Sequence, residues 1–283
     1  MDFSWINLTN PVALWWLFLF FASLINIVLW SWVRLYRYKH SSLTKFKFWE
    51  FKKENLIWFS ALYVFGCAYR SFFVKADVQR ICVFDTWFSS VFLGRSIATI
   101  AELAFVIQWA IVLSELGKLT NDKKVVSLSK LIVPLILIAE CFSWYAVITT
   151  NYLGNSIEES TWAITYSIIL FLLFKLKKNF KGAFHYAIVL SLFFNFLYIL
   201  FMIFVDVPMY INRYLDGLRT YKSHLGLSQG IIDLNTRWVV THNIQDWQTE
   251  IPWMTLYFSF AVLVSIGLCI VPLNRERLSK HLH

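Results

Sequence analysis

Residues 94–109 read GRSIATIAELAFVIQW. Ile, Ala, Leu, Phe, Val and Trp make this a membrane-helix composition, yet the stretch carries Arg95, Glu102 and Gln108. Seven residues is close to two helical turns, so Arg95 and Glu102 share a face about 10 Å apart along the axis. Ala98 and Trp109 extend that stripe, Thr99 lies on its edge and Gln108 points elsewhere. Gly94 and Ala98 form a small-xxx-small step that admits a close helix neighbour. The polar face should therefore look into a helix bundle.

The rest of the chain supports a bilayer as solvent. Of 283 residues, 58% are hydrophobic, 19% aromatic and only 15% charged, with mean hydropathy +0.58. Soluble domains carry about 25% charged residues. Apolar runs near the length of about 20 residues that spans a hydrocarbon core fall at 12–34, 56–74, 87–115, 131–151, 161–175, 183–206 and 251–273. The expected fold class is an all-α integral membrane protein, a single domain built as a seven-transmembrane helix bundle. The fifth run is the shortest. The first is too long and too apolar for a removable signal peptide.

Orientation follows from the basic residues. They cluster in RLYRYKHSSLTKFKFWEFKK after helix 1, at Lys118, Lys123, Lys124 and Lys130, at Lys175, Lys177, Lys178 and Lys181, and in the tail at Arg275, Arg277 and Lys280. All four segments fall on one side of a seven-helix model. Asp77, Asp85, Glu158, Glu159, Asp216, Asp233 and Asp246 fall on the other. The positive-inside rule then puts the N-terminus outside and the C-terminus in the cytoplasm. The net charge of +9 is topology information, and no nucleic-acid partner is expected. Cys67, Cys141 and Cys269 fall inside helices and read as small core residues; only Cys82 lies in a loop.

A second acid lies at mid-depth in AECFSW: Glu140, followed by Ser143 and Trp144. The helices carrying Glu102 and Glu140 run antiparallel and are joined by a short loop, so the two carboxylates can face each other. Arg70 and Arg95 should sit above them, towards the outside. Intramembrane charges are functional candidates by default, although Arg/Glu pairs can also simply lock helices together. Glu102 and Glu140 are the candidate catalytic acid and base, with Arg70 and Arg95 as anion binders. Trp144, Asn195, Tyr198, Arg213 and Trp247 complete the candidate binding residues. The connection 207–250 is long and rich in Arg, Asp, His and Trp, and reads as an ordered cap.

No HExxH, histidine box, GxSxG, P-loop or GxGxxG is present, and residues 251–273 contain no lysine for a retinal Schiff base. No metal and no cofactor is expected. The partners expected are the bilayer and a lipid or other small amphipathic ligand; the chain does not define an oligomeric state. The favoured function is an intramembrane enzyme using the paired carboxylates for acid/base chemistry on a lipid-soluble substrate; the alternative is a proton-coupled small-molecule carrier or sensor. A structural subunit of a larger membrane complex is a third.

Overall fold

Where greasy side chains point outward and polar ones inward, the surrounding solvent is not water. The computed structural model has this inverted arrangement, and it describes residues 3–40, 55–221 and 223–271. Phe18, Ile25, Val28 and Trp32 on one helix, and Phe193, Phe196 and Leu197 on another, lie exposed. Arg70, Arg95, Glu102, Gln108, Glu140, Thr165 and Ser265 are buried.

The helices are α1 (Pro11–His40), α2 (Leu56–Phe72), α3 (Val91–Leu119), α4 (Lys123–Ser129), α5 (Ile132–Thr149), α6 (Tyr152–Lys177) and α7 (Gly182–Phe201). After them come α8 (Val207–Arg219), α9 (Leu227–Thr236), α10 (Ile244–Trp247), α11 (Ile251–Leu256) and α12 (Val262–Leu268). Wide π-helical turns at Met202–Asp206 and Tyr257–Ala261 join α7 to α8 and α11 to α12. Among the described residues, six helical stretches are long and apolar enough to cross a membrane: 11–37, 91–119, 123–149, 152–177, 182–219 and 251–268. The apolar α2, at 17 residues, is shorter.

Local chemistry sets the helix starts. Ser90 accepts a hydrogen bond from Leu93 N at 3.4 Å, Asp122 from Lys124 N at 3.0 Å and Asn151 from Leu153 N at 3.0 Å, each satisfying an orphan first-turn donor. Gln108 latches α3 to its neighbours. Its side-chain amide Nε2 donates to Leu56 O at 3.1 Å and Ser265 O at 3.2 Å, while its Oε1 accepts from Ser265 Oγ at 2.6 Å.

One end of the bundle carries an ordered cap. Strands β1 (Lys75–Ala76) and β2 (Ile81–Cys82) form a hairpin, and β3 (Val239–Val240) adds to it in parallel. Arg80, buried at the hairpin turn, pairs with Asp233 of α9 at 2.8 Å and donates to Val147 O of α5 at 2.6 Å. Trp247 is fully buried against Trp15 of α1, ring centroids 5.6 Å apart. At the opposite end Lys175 pairs with Asp122 at 2.7 Å, and this lysine's hydrogen bond holds the Asp122 carboxyl below its ordinary range.

Several expectations need correction. The fifth apolar run, 161–175, belongs to a longer helix that starts at Tyr152, so Glu158 and Glu159 are helical rather than part of a connection. Its polar first half starts at the Asn151 cap, and the hydroxyls of Ser156, Ser160, Thr161 and Thr165 are satisfied by their own helix's carbonyls. The sixth helix runs on through the π turn as α8, so the irregular part of 207–250 begins only after Arg219. Cys141 is exposed on the bundle exterior, not a core residue, whereas Cys67, Cys82 and Cys269 are buried. The small face at Gly94 admits the side chain of Lys75, which a Cβ there would strike, rather than a helix. Most of the basic run after helix 1 and the tail basic residues lie outside the described residues, as do 272 and 273 of the seventh run.

Candidate functional site

The site is built on α3, α5 and α6, with α2 and the π turn after α11 closing it. Arg95 is its centre. One nitrogen, Nη2, donates to Glu102 Oε2 at 2.9 Å and to Glu140 Oε1 and Oε2 at 3.0 and 2.8 Å. The other, Nη1, lies 3.6 Å from Glu158 Oε1. Arg70 of α2 adds a second guanidinium, 3.8 Å from Glu102 Oε1 and 3.7 Å from Asp77 Oδ2. All of these residues but Asp77 are 3–6% exposed. Four carboxylates therefore share two guanidiniums in a water-poor interior.

Neutral donors complete the network. Tyr257 donates to Glu102 Oε1 at 3.0 Å, Thr99 to Glu140 Oε2 at 2.5 Å and Asn155 Nδ2 to Glu158 Oε2 at 3.1 Å. Trp144 Nε1 in turn donates to Thr99 Oγ1 at 3.1 Å. Arg95 Nε, Asp77 Oδ1 and Asn155 Oδ1 are buried without a partner among the described residues. Such groups carry a desolvation cost unless a ligand or water reaches them.

The sequence-derived candidates fall into two groups. Arg70, Arg95, Glu102 and Glu140 come together, with Trp144 one hydrogen bond away. The others lie elsewhere. Asn195 Nδ2 donates to Ser191 O in its own helix at 2.7 Å. Tyr198 packs on Tyr166, centroids 4.5 Å apart. Arg213 pairs with Glu250 at 3.0 Å and lies over the rings of Tyr152 and Tyr210 at 5.5 and 5.6 Å. Trp247 is a packing anchor of the cap, its Nε1 donating to Thr241 O at 3.1 Å. Sequence reasoning missed Glu158, Asp77, Asn155 and Tyr257 as members of the cluster. For Glu158 a signal existed: Asn151 is a helix N-cap residue, and starting the helix there puts Glu158 inside it.

Lys75, between α2 and α3, is a separate buried charge. Its Nζ donates to Phe88 O at 3.1 Å and Ser90 O at 2.7 Å. Burial disfavours the ammonium and brings its pKa down to about 8, an effect Asp77 partly offsets. These bonds tie the hairpin to the start of α3.

Among the described residues, no group of three or more His, Cys, Asp and Glu is arranged to hold a metal ion. No family model, curated protein or solved structure matches the chain. Its class is set by fold and site alone: an apolar multi-helix bundle of membrane type with buried Arg/Glu pairs.

Proposed function

We propose that the chain is a seven-span membrane protein, N-terminus outside and C-terminus cytoplasmic, that takes up and releases a proton at the Arg95 cluster as a proton-coupled carrier of a small solute. One observation carries this reading: Arg95 is shared by Glu102, Glu140 and Glu158, and among the described residues the only other guanidinium within ion-pair reach is Arg70, beside Glu102. With every group ionised, the six-residue cluster bears two uncompensated negative charges. Each uncompensated charge at the bilayer centre costs at least about 2.5–3.5 kcal/mol. A shared proton removes one such charge, and its loss or gain can be coupled to movement of a second ligand. Arg95 Nη2 is committed to carboxylates, which favours proton binding over capture of an anionic head group.

Infrared spectroscopy of the purified protein tests this directly. A protonated carboxyl band is expected at neutral pH, altered in Glu102→Gln, Glu140→Gln or Glu158→Gln. Each substitution imitates a protonated carboxyl, so membrane abundance should hold while uptake driven by a pH gradient is lost. A fully ionised cluster at neutral pH would overturn the proposal.

A second reading is an intramembrane enzyme with Glu102 and Glu140 as acid and base and the cap as a lid. The ordered cap over the same end of the bundle favours it. Accumulation of one lipid precursor in the Gln variants, with uptake unaffected, would select it. Loss of folded protein in all three variants would instead mark the cluster as a helix lock.

A further inference from the structure

The outward-facing side of α6 is not filled. Along it lies a hollow of about 530 Å³ whose floor is Ser160, Ala163, Ser167 and Phe171, successive turns of one helix face. Leu128 of α4, Ile203 of the π turn and Val207 of α8 wall it. A second hollow of about 480 Å³ lies between α6 and α7, with Phe174 on one helix and Phe193 and Phe196 on the other. The two hollows share Ser167 and Phe171, so they meet. From Ser160 to Phe174 the joined groove follows α6 for about 21 Å at 1.5 Å per residue.

The groove makes no polar demand on an occupant. Ser160 Oγ donates to Ser156 O at 2.6 Å and Ser167 Oγ to Ala163 O at 2.8 Å, so both hydroxyls are engaged within their own helix. Its foot is charged. One helical turn beyond Phe174 come Lys177 and Lys178, with Lys181 closing the turn into α7. Lys177 Nζ sits 5.8 Å from the Phe174 ring centroid, which joins the cationic foot to the groove wall. His185 fixes this turn, its Nδ1 lying 3.2 Å from Lys177 O and 3.1 Å from Phe180 O. Among the described residues none of the three lysines pairs with a carboxylate, whereas Lys118 and Lys175 at the same end do. Tyr186, exposed near the start of α7, is the kind of aromatic that sits at headgroup level.

We infer that this groove holds an acyl chain of an anionic phospholipid whose headgroup pairs with Lys177, Lys178 and Lys181. The apolar floor and walls suit the chain, and a basic cluster at the membrane surface attracts the headgroup. An uncharged lipid would leave the lysines without a partner. Charge also argues against a second copy of this chain as the occupant. Two copies in one membrane share an orientation, so packing through this face would set both sets of unpaired lysines against each other at the same surface. The inference needs only that α6 and α7 cross a bilayer, for which both are long and apolar enough. It does not depend on the proton-carrier reading.

The test is photo-crosslinking of the purified full chain in phosphatidylcholine vesicles that contain phosphatidylglycerol with a diazirine on its acyl chain. Phosphatidylcholine carrying the same diazirine is the control. Mass spectrometry should place phosphatidylglycerol adducts on 160–174 and 192–207 about tenfold or more above phosphatidylcholine adducts. Substituting Lys177→Gln, Lys178→Gln and Lys181→Gln together should bring the two lipids level. Ser167→Phe, which fills the place where the hollows meet, should reduce the adducts of both lipids in a chain that still elutes as a single folded species. If Ser167→Phe does not fold, the lysine variants decide the matter. Equal labelling by the two lipids, or a phosphatidylglycerol excess that survives the triple substitution, would overturn the headgroup pairing. Unchanged adducts in folded Ser167→Phe would overturn the groove as the seat of the chain. Cross-links between two copies through these segments, with no lipid adducts, would show that a second copy covers the groove and would overturn the inference as a whole.

Discussion

At the scale of single residues, Arg95 and Lys75 are two buried cations with opposite dependencies. Arg95 is surrounded by carboxylates, so its removal strands them. Arg95→Gln should destabilise the protein by about 3–5 kcal/mol, the cost of breaking a buried ion pair from one side. Adding Glu102→Gln and Glu140→Gln should recover much of that loss, because the stranded charges go with it. The apparent unfolding midpoint in detergent reads both effects, and a triple variant no better than Arg95→Gln would contradict the charge argument. Lys75 has carbonyl partners instead, and burial holds its pKa at about 8. The unfolded lysine titrates near ~10.4, so between these values the unfolded chain binds more protons. Stability conferred at this position therefore rises with pH across that window, and the full cost of burying the ammonium is felt below it. Compared with Lys75→Met, the wild-type protein should gain on the order of 3 kcal/mol between pH 7 and pH 10.5. A stability difference that stays flat with pH would mean that Lys75 remains charged in the fold.

At the scale of elements, the contact between α9 and α5 is as tight as backbone allows. A Cβ on Gly230 would collide with the carbonyl of Ile148, so Gly230→Ala must push α9 away from the bundle. Arg80 ties this same α9 to the hairpin and α5, and the cap should loosen as a unit. Limited proteolysis should then cut between 220 and 243 in Gly230→Ala under conditions that spare the wild type, with the bundle fragments left intact. Wild-type resistance in the variant would show that the cap tolerates the displacement. The elements also separate what was legible in the sequence from what was not. Long apolar runs announce themselves by length and hydropathy, and charges inside them stand out, so α3, α5 and the Arg95–Glu102–Glu140 association were within reach. The first half of α6 was not, since Asn155, Ser156, Glu158, Glu159 and Ser160 look like a loop until the Ser156 and Ser160 hydroxyls are seen bonding back along the helix. Asp77 and Tyr257 join the cluster through packing between elements far apart in the chain, and no local pattern records that.

At the scale of the whole molecule, the two ends differ in kind. One is covered by the hairpin, α9 and β3; the other carries the Lys175–Asp122 pair with Lys118, Lys124, Lys177 and Lys181. The seven-span reading makes the capped end extracellular and the basic end cytoplasmic, because positively charged segments are retained on the cytoplasmic side. It also requires α2, with only 17 residues, to cross. At 1.5 Å per residue α2 covers about 25 Å, slightly less than a hydrocarbon core of about 30 Å, so the bilayer must thin or the helix ends must be completed by the flanking segments. Two single substitutions at exposed positions on opposite ends, Tyr221→Cys and Lys124→Cys, test parity and direction together. With a membrane-impermeant maleimide applied to intact cells, Tyr221→Cys should label and Lys124→Cys should label only after permeabilisation, each compared with the unsubstituted chain to account for Cys141. Reversed labelling would invert the orientation and put the cap, with the acids beneath it, on the cytoplasmic side. Labelling of both positions in intact cells would mean that the stretch between them does not alternate as seven spans require, and one of α5, α6 and α7 would have to be discarded as a crossing.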